Sequence, residues 1–151
     1  MSRESGGQNY ELATPRLTIA GLTGPLLEAA QNIPHIHEVM SEPFDITNHA
    51  GNVWGGALVA AGVTIGYAMK NSTNEESLTI SEESMSRFRR RGVAMIMGAT
   101  ALANCITETK WGVQHLPVAG WLNGETPDVL DTVYSTVWGG ILSLAFWKKA
   151  R

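Results

Sequence analysis

The residues able to do chemistry in this 151-residue chain are few and poorly placed for it. Four histidines, His35, His37, His49 and His115, raise a metal or haem question. His35 and His37 are two apart, which puts them on opposite sides of a helix or on one face of a strand. No third ligand follows at zinc spacing. His49 and His115 stand near the ends of two uncharged stretches, where a haem or metal held between them is conceivable and boundary polarity is the plainer reading. Cys105, the single cysteine, lies inside an apolar run and reads as a buried, inert thiol. No glycine-rich phosphate motif, serine–histidine–acid set or pair of carboxylates stands out. No catalytic, cofactor-binding or metal site is expected.

The one informative polar feature is basic. Met85-Ser86-Arg87-Phe88-Arg89-Arg90-Arg91 runs straight into an uncharged stretch. A planar guanidinium binds phosphate or carboxylate in two-pronged fashion, so Arg87, Arg89, Arg90 and Arg91 suit lipid anchoring or docking to acidic residues of a partner subunit.

Three uncharged stretches must position these arginines: Ile46 to Met69, Gly92 to Thr107 and Val133 to Trp147. Their apolar cores fall short of the roughly 20 residues of a typical membrane span, although about 17 is tolerated. A helix of a soluble bundle carries charge on its outer face every turn or so, and these carry none. They predict an all-α membrane protein with three short transmembrane helices, at about 53–69, 92–107 and 133–147. Gly62 and Gly66 form a GxxxG match, and Ala94 and Gly98 repeat the small-xxx-small spacing, so all four are expected to pack helices. Trp54, Tyr67, Trp111, Tyr134 and Trp147 mark the ends of the stretches, as interfacial aromatic rings do.

Charge placement argues the same way. Lysine plus arginine counts run two in Met1–Asp45, five in Lys70–Arg91, one in Glu108–Thr132 and three in Lys148–Arg151. That alternation predicts three crossings, with the Lys70–Arg91 loop and the C-terminus on one side and the acidic N-terminus on the other. The net charge of −3 gives no reason to expect nucleic acid.

The remainder reads as peripheral, dividing the chain at residue 45 into an N-terminal region and a membrane domain, 46–151. Gly24 to Gln31 resembles a short helix with Thr23 as cap and Pro25 in its first turn. Gly51-Asn52 and Asn123-Gly124 read as turns, and Leu116 to Asp128 as loop. The N-terminus resembles neither a secretory signal nor a good mitochondrial presequence, which leaves internal signals or a removed leader. No internal repeat is read.

An asparagine opening a glycine- and alanine-rich span (Asn52 to Tyr67), a serine-bearing loop, Met85-Ser86-Arg87-Phe88-Arg89 and a second short span together resemble the hypoxia-induced-gene (HIG) domain. The likeness covers about Asn52 to Asn104. The family's glutamine after the arginines is missing, Asn71 to Ser84 is a longer loop, and the third span has no counterpart. The resemblance implies the mitochondrial inner membrane, association with cytochrome c oxidase or a supercomplex containing it, a basic loop facing the matrix, and a special role for Arg87 and Arg89. The expected function is that of a structural accessory subunit, with subunits of a membrane complex and phospholipid as partners. A small transporter, channel or translocase component, or a soluble helical domain, are the alternatives.

Overall fold

The computed structural model describes residues 7–31, 33, 46–74, 76–107 and 129–150. Its elements are β1 (Asn9–Leu12), α1 (Thr14–Gln31), α2 (Ile46–Asn71), β2 (Thr79–Ser81), α3 (Glu82–Arg87), a π-helical turn (Phe88–Gly92), α4 (Val93–Thr107), α5 (Val129–Ala145) and β3 (Trp147–Lys149). α3, the π turn and α4 follow one another without a break, so the described residues form four helical rods. α2 packs most extensively on α5, α5 also packs on α4, and α1 lies against α2.

The protein is mostly helical, but the all-α expectation is corrected by a small antiparallel sheet in the order β2-β1-β3. Tyr10 pairs with Ile80 on one side and with Lys149 on the other. Lys148 reaches Glu11 across the sheet at 2.6 Å. One sheet face turns inward, burying Tyr10, Leu12, Ile80 and Trp147.

This sheet overturns the expected sidedness of the N-terminus. Residues 9–12 are hydrogen-bonded between the loop after α2 and the end of the chain, so all three segments lie at one end of the bundle. The reason is α1, which is 18 residues long and not the eight-residue peripheral helix expected. It adds a fourth rod among the described residues, which fits β1, β2 and β3 meeting at one end. Thr23 is not its cap; its hydroxyl donates back to the Ile19 carbonyl. Residue 45 is likewise no packing boundary, since Tyr10, Leu12 and Ala20 share one core with Ala57, Ala60, Phe88 and Phe146.

The three expected spans are all helices, with shifted limits. Gly51 and Asn52 lie inside α2 and make no turn. The third span stops at Ala145, and Trp147 belongs to the sheet. Among the described residues, one helical stretch, Val53–Asn71, is long and apolar enough by itself to cross a membrane. At 15 and 17 residues, α4 and α5 are short against the roughly 20 residues of a straight crossing. Asn123-Gly124, Leu116 to Asp128, Trp111, His35, His37 and His115 lie outside the described residues, as does the side chain of His49.

Candidate functional site

The basic cluster sits on an irregular piece of helix. Ser81 starts α3 in extended conformation and accepts from the Ser84 N–H, and Glu82 and Glu83 suit the positive end of the helix. Five residues on, the hydrogen bonding widens: the Val93 N–H donates to the Phe88 carbonyl, one residue further back than in an α-helix. Such π turns are often found at functional sites. Phe88 holds this one in place. Its fully buried ring packs 4.9 Å from Tyr67 and 5.5 Å from Trp147, and the Tyr67 hydroxyl donates to the Ser84 carbonyl. Gly92 gives the ring room, because a Cβ there would come within 2.4 Å of it.

The π turn fans the four arginines in different directions. Arg87 pairs with Glu83 at 3.1 Å and donates to Ser84. Arg89 stands over the Tyr10 ring, 5.4 Å from its centroid, and so ties the helix to the central strand. Arg90 donates to Ser86. Arg91 is exposed and has no hydrogen-bonded or ion-paired partner among the described residues. The expected grouping of Arg87 with Arg89 is therefore not the one the fold makes.

Arg87 and Arg91 instead line one groove. It opens between α2 and the π turn and α4, with a cavity volume of about 500 Å³. Lys70, Arg87 and Arg91 line it together with Val63, Gly66 and Met95.

Gly62, Gly66, Ala94 and Gly98 pack no helix among the described residues. All four are exposed, and a Cβ at any of the three glycines would meet nothing within 4 Å. Close helix packing falls to Gly56 and Gly139. A Cβ on Gly56 would stand 2.3 Å from the Ser135 carbonyl oxygen, and one on Gly139 would stand 3.0 Å from the Gly56 carbonyl oxygen. Gly62 lies six residues beyond Gly56, roughly 240° round the helix, which is why the GxxxG pair points away. A signal for the true contact was present. The quartet Val-Trp-Gly-Gly occurs at 53–56 and again at 137–140, and its two copies lie in the two helices that pack most closely.

The helix interfaces are small and polar. On α2, Gly56, Ala60, Thr64 and Ala68 recur every fourth residue and are buried; on α5, Asp131, Ser135, Gly139 and Ser143 do the same. Asn104 donates to the Asp131 carbonyl and to the Ser135 hydroxyl, and Ser135 donates to the Asp131 carbonyl at 2.8 Å. Asp131, just before the expected third span, is 2% exposed in the first turn of α5. The outer faces are apolar: Leu58, Met69, Met95, Leu102, Ile141 and Leu144 are all exposed. Cys105, expected to be buried, is exposed on α4.

The terminal aromatics also depart from expectation. Trp54 donates to the Gly21 carbonyl at 2.9 Å, Tyr67 to Ser84, and Trp147 is buried beside Phe88. These rings hold the fold together rather than marking its edges. Comparison with protein-family models, with curated proteins and with solved structures gives no match to the chain.

Proposed function

We propose that this chain is an integral membrane protein without catalytic activity, acting as a structural accessory subunit of a larger membrane assembly. One observation carries the reading: polarity is distributed inside out. Thr64, Thr100, Asn104, Asp131, Ser135 and Ser143 are buried, while large apolar side chains stand exposed on α2 (Leu58 and Met69), α4 (Met95 and Leu102) and α5 (Val133, Val137, Ile141 and Leu144). In water so many exposed apolar side chains favour association. In a bilayer the same pattern is ordinary, since helices there meet through small residues and hydrogen bonds and turn their large apolar residues to lipid.

The proposed topology is four passes, not three. All eight basic residues among the described ones (Arg16, Lys70, Arg87, Arg89, Arg90, Arg91, Lys148 and Lys149) lie toward the sheet end. The connecting segments 32–45 and 108–128 contain one basic residue, Lys110, against six acidic ones. Lysine and arginine concentrated at one end favour keeping that end on the side from which insertion starts. Helices of 15 to 18 residues (α1, α4 and α5) suit a thin bilayer or one locally thinned around them, and the 26 residues of α2 leave a turn or more outside it.

The resemblance of Asn52–Asn104 to the HIG hairpin supports placing the assembly in the mitochondrial inner membrane, around cytochrome c oxidase or a supercomplex containing it, with the sheet end in the matrix. Carbonate-washed membranes should retain the chain, and native gels with mass spectrometry should find it comigrating with respiratory subunits. Release by carbonate would refute the membrane reading; retention with other companions would refute the respiratory one. A second reading, a small transporter or translocase component, rests on Asp131, because buried acids at membrane depth usually serve transport. It requires that Asp131→Asn assemble normally yet abolish flux.

A further inference from the structure

We infer that the groove between α2 and α4 is the seat of a single anionic phospholipid, a reading that rests on the membrane placement proposed above. Polarity in the groove changes along its length. Lys70, in the last turn of α2, joins Arg87 and Arg91 as its cationic part, and Val63, Gly66 and Met95 form an apolar part. Lys70 and Arg91 have no ion-pair partner among the described residues, so these charges lie open to a ligand.

Gly66 matters to the shape. It is exposed on the groove wall, and the space where its side chain would stand is empty to 4 Å. The ligand class follows from the division. A phosphate accepts paired hydrogen bonds from guanidinium groups and pairs with an ammonium, which suits the cationic part. Acyl chains suit the apolar part, and Met95, unbranched and flexible, adapts to them. Basic pockets between membrane helices are known seats for anionic head groups.

Free phosphate would use the cations and leave the apolar part unfilled. An acidic partner helix would need its polarity to vary around its axis, whereas this groove changes character along its length. Charge and shape together favour one head-and-tail amphiphile.

The test uses the purified full chain in detergent, incubated with phosphatidylglycerol or phosphatidylcholine and read by native mass spectrometry. The wild type should retain phosphatidylglycerol preferentially. Lys70→Gln with Arg91→Gln should lower that retention roughly tenfold or more, given the usual attraction of each basic side chain to anionic lipid. Gly66→Leu, which keeps every charge and fills the groove, should lower it too. Arg90→Gln with Lys149→Gln removes the same charge away from the groove and should leave retention unchanged.

Equal loss in that control pair, or unchanged retention in Lys70→Gln with Arg91→Gln, would overturn the seat. So would displacement of the lipid by inorganic phosphate, which would mark a site for a free anion. Gly66→Leu that keeps the lipid but sheds comigrating protein subunits would show a partner helix in the groove instead. Wild-type chain washed from vesicles by carbonate refutes the membrane reading itself; retained chain with no preference for anionic lipid refutes only the seat.

Discussion

The indole N–H of Trp54 donates to the Gly21 carbonyl oxygen at 2.9 Å, the oxygen that residue 25 would satisfy if it were not proline. Proline in a helix interior removes the N–H that would bond four residues back. Trp54, reaching over from α2, supplies the missing donor and joins the two helices. Gly24 makes room for it, since a Cβ there would fall 2.2 Å from the indole Cγ. Trp54→Phe should therefore cost about 0.5–1.5 kcal/mol, the net worth of a hydrogen bond to this half-buried acceptor. Pro25→Ala should recover part of that loss in the Trp54→Phe background and far less in the wild type. Thermal unfolding in detergent of the four proteins of this cycle measures the coupling. Strict additivity would show that the indole does not compensate for the proline.

The two glycines at the α2–α5 crossing give a second expectation. Gly56→Ala forces a methyl group against the Ser135 carbonyl, and Gly139→Ala presses on Gly56. Each should lower stability by about 1–3 kcal/mol, as overpacking does. Gly62→Ala and Gly66→Ala meet open space and should not lower stability, alanine being the better helix former. Comparable loss at all four positions would mean that the helices cross elsewhere.

The arginines separate in the same way. Arg89→Ala removes a cation from the Tyr10 ring and should loosen β1 by about 0.5–1 kcal/mol, visible as faster hydrogen exchange at Tyr10 and Glu11. Arg91→Ala touches nothing that holds the sheet and should leave that exchange as it is. Identical exchange in the two variants would remove Arg89 from the sheet's support.

Some of this was legible in the sequence and some was not. The uncharged stretches marked α2, α4 and α5 to within a few residues at most ends, because absence of charge over four turns is a strong signal. The first helix is less legible: Gly21, Gly24 and Pro25 argue against a helix locally, and the Gly21 carbonyl finds its donor in Trp54, 33 positions away. The three strands, each of three or four residues, are too short to show alternation, and their pairing spans about 70 and 140 positions of the chain. Of the candidate site, the arginine cluster was visible but its division was not. The widened turn at Phe88–Gly92 sets which guanidinium faces Tyr10 and which faces Lys70.

Buried polarity offers a fourth prediction. Asn104→Leu leaves the Ser135 and Asp131 groups short of a donor and should cost about 1–2 kcal/mol, in the range of hydrogen bonds between membrane helices. Ser135→Ala should cost less, and the double variant should cost less than the sum, because the two side chains share one bond. Full additivity in denaturant-induced unfolding would argue that the pair does not meet.

Sidedness tests the central claim most directly. With Cys105 replaced by serine, single cysteines at Gln8, Ser77 and Ala150 are exposed in turn to an impermeant maleimide in sealed vesicles of known orientation. The four-pass account predicts that all three react from the same face and from that face only, because Asn9, Ser81 and Lys149 lie in one sheet. Reaction of the Gln8 position from the face opposite to Ser77 would restore an odd number of crossings, and reaction of all three from both faces would place the chain outside the membrane altogether.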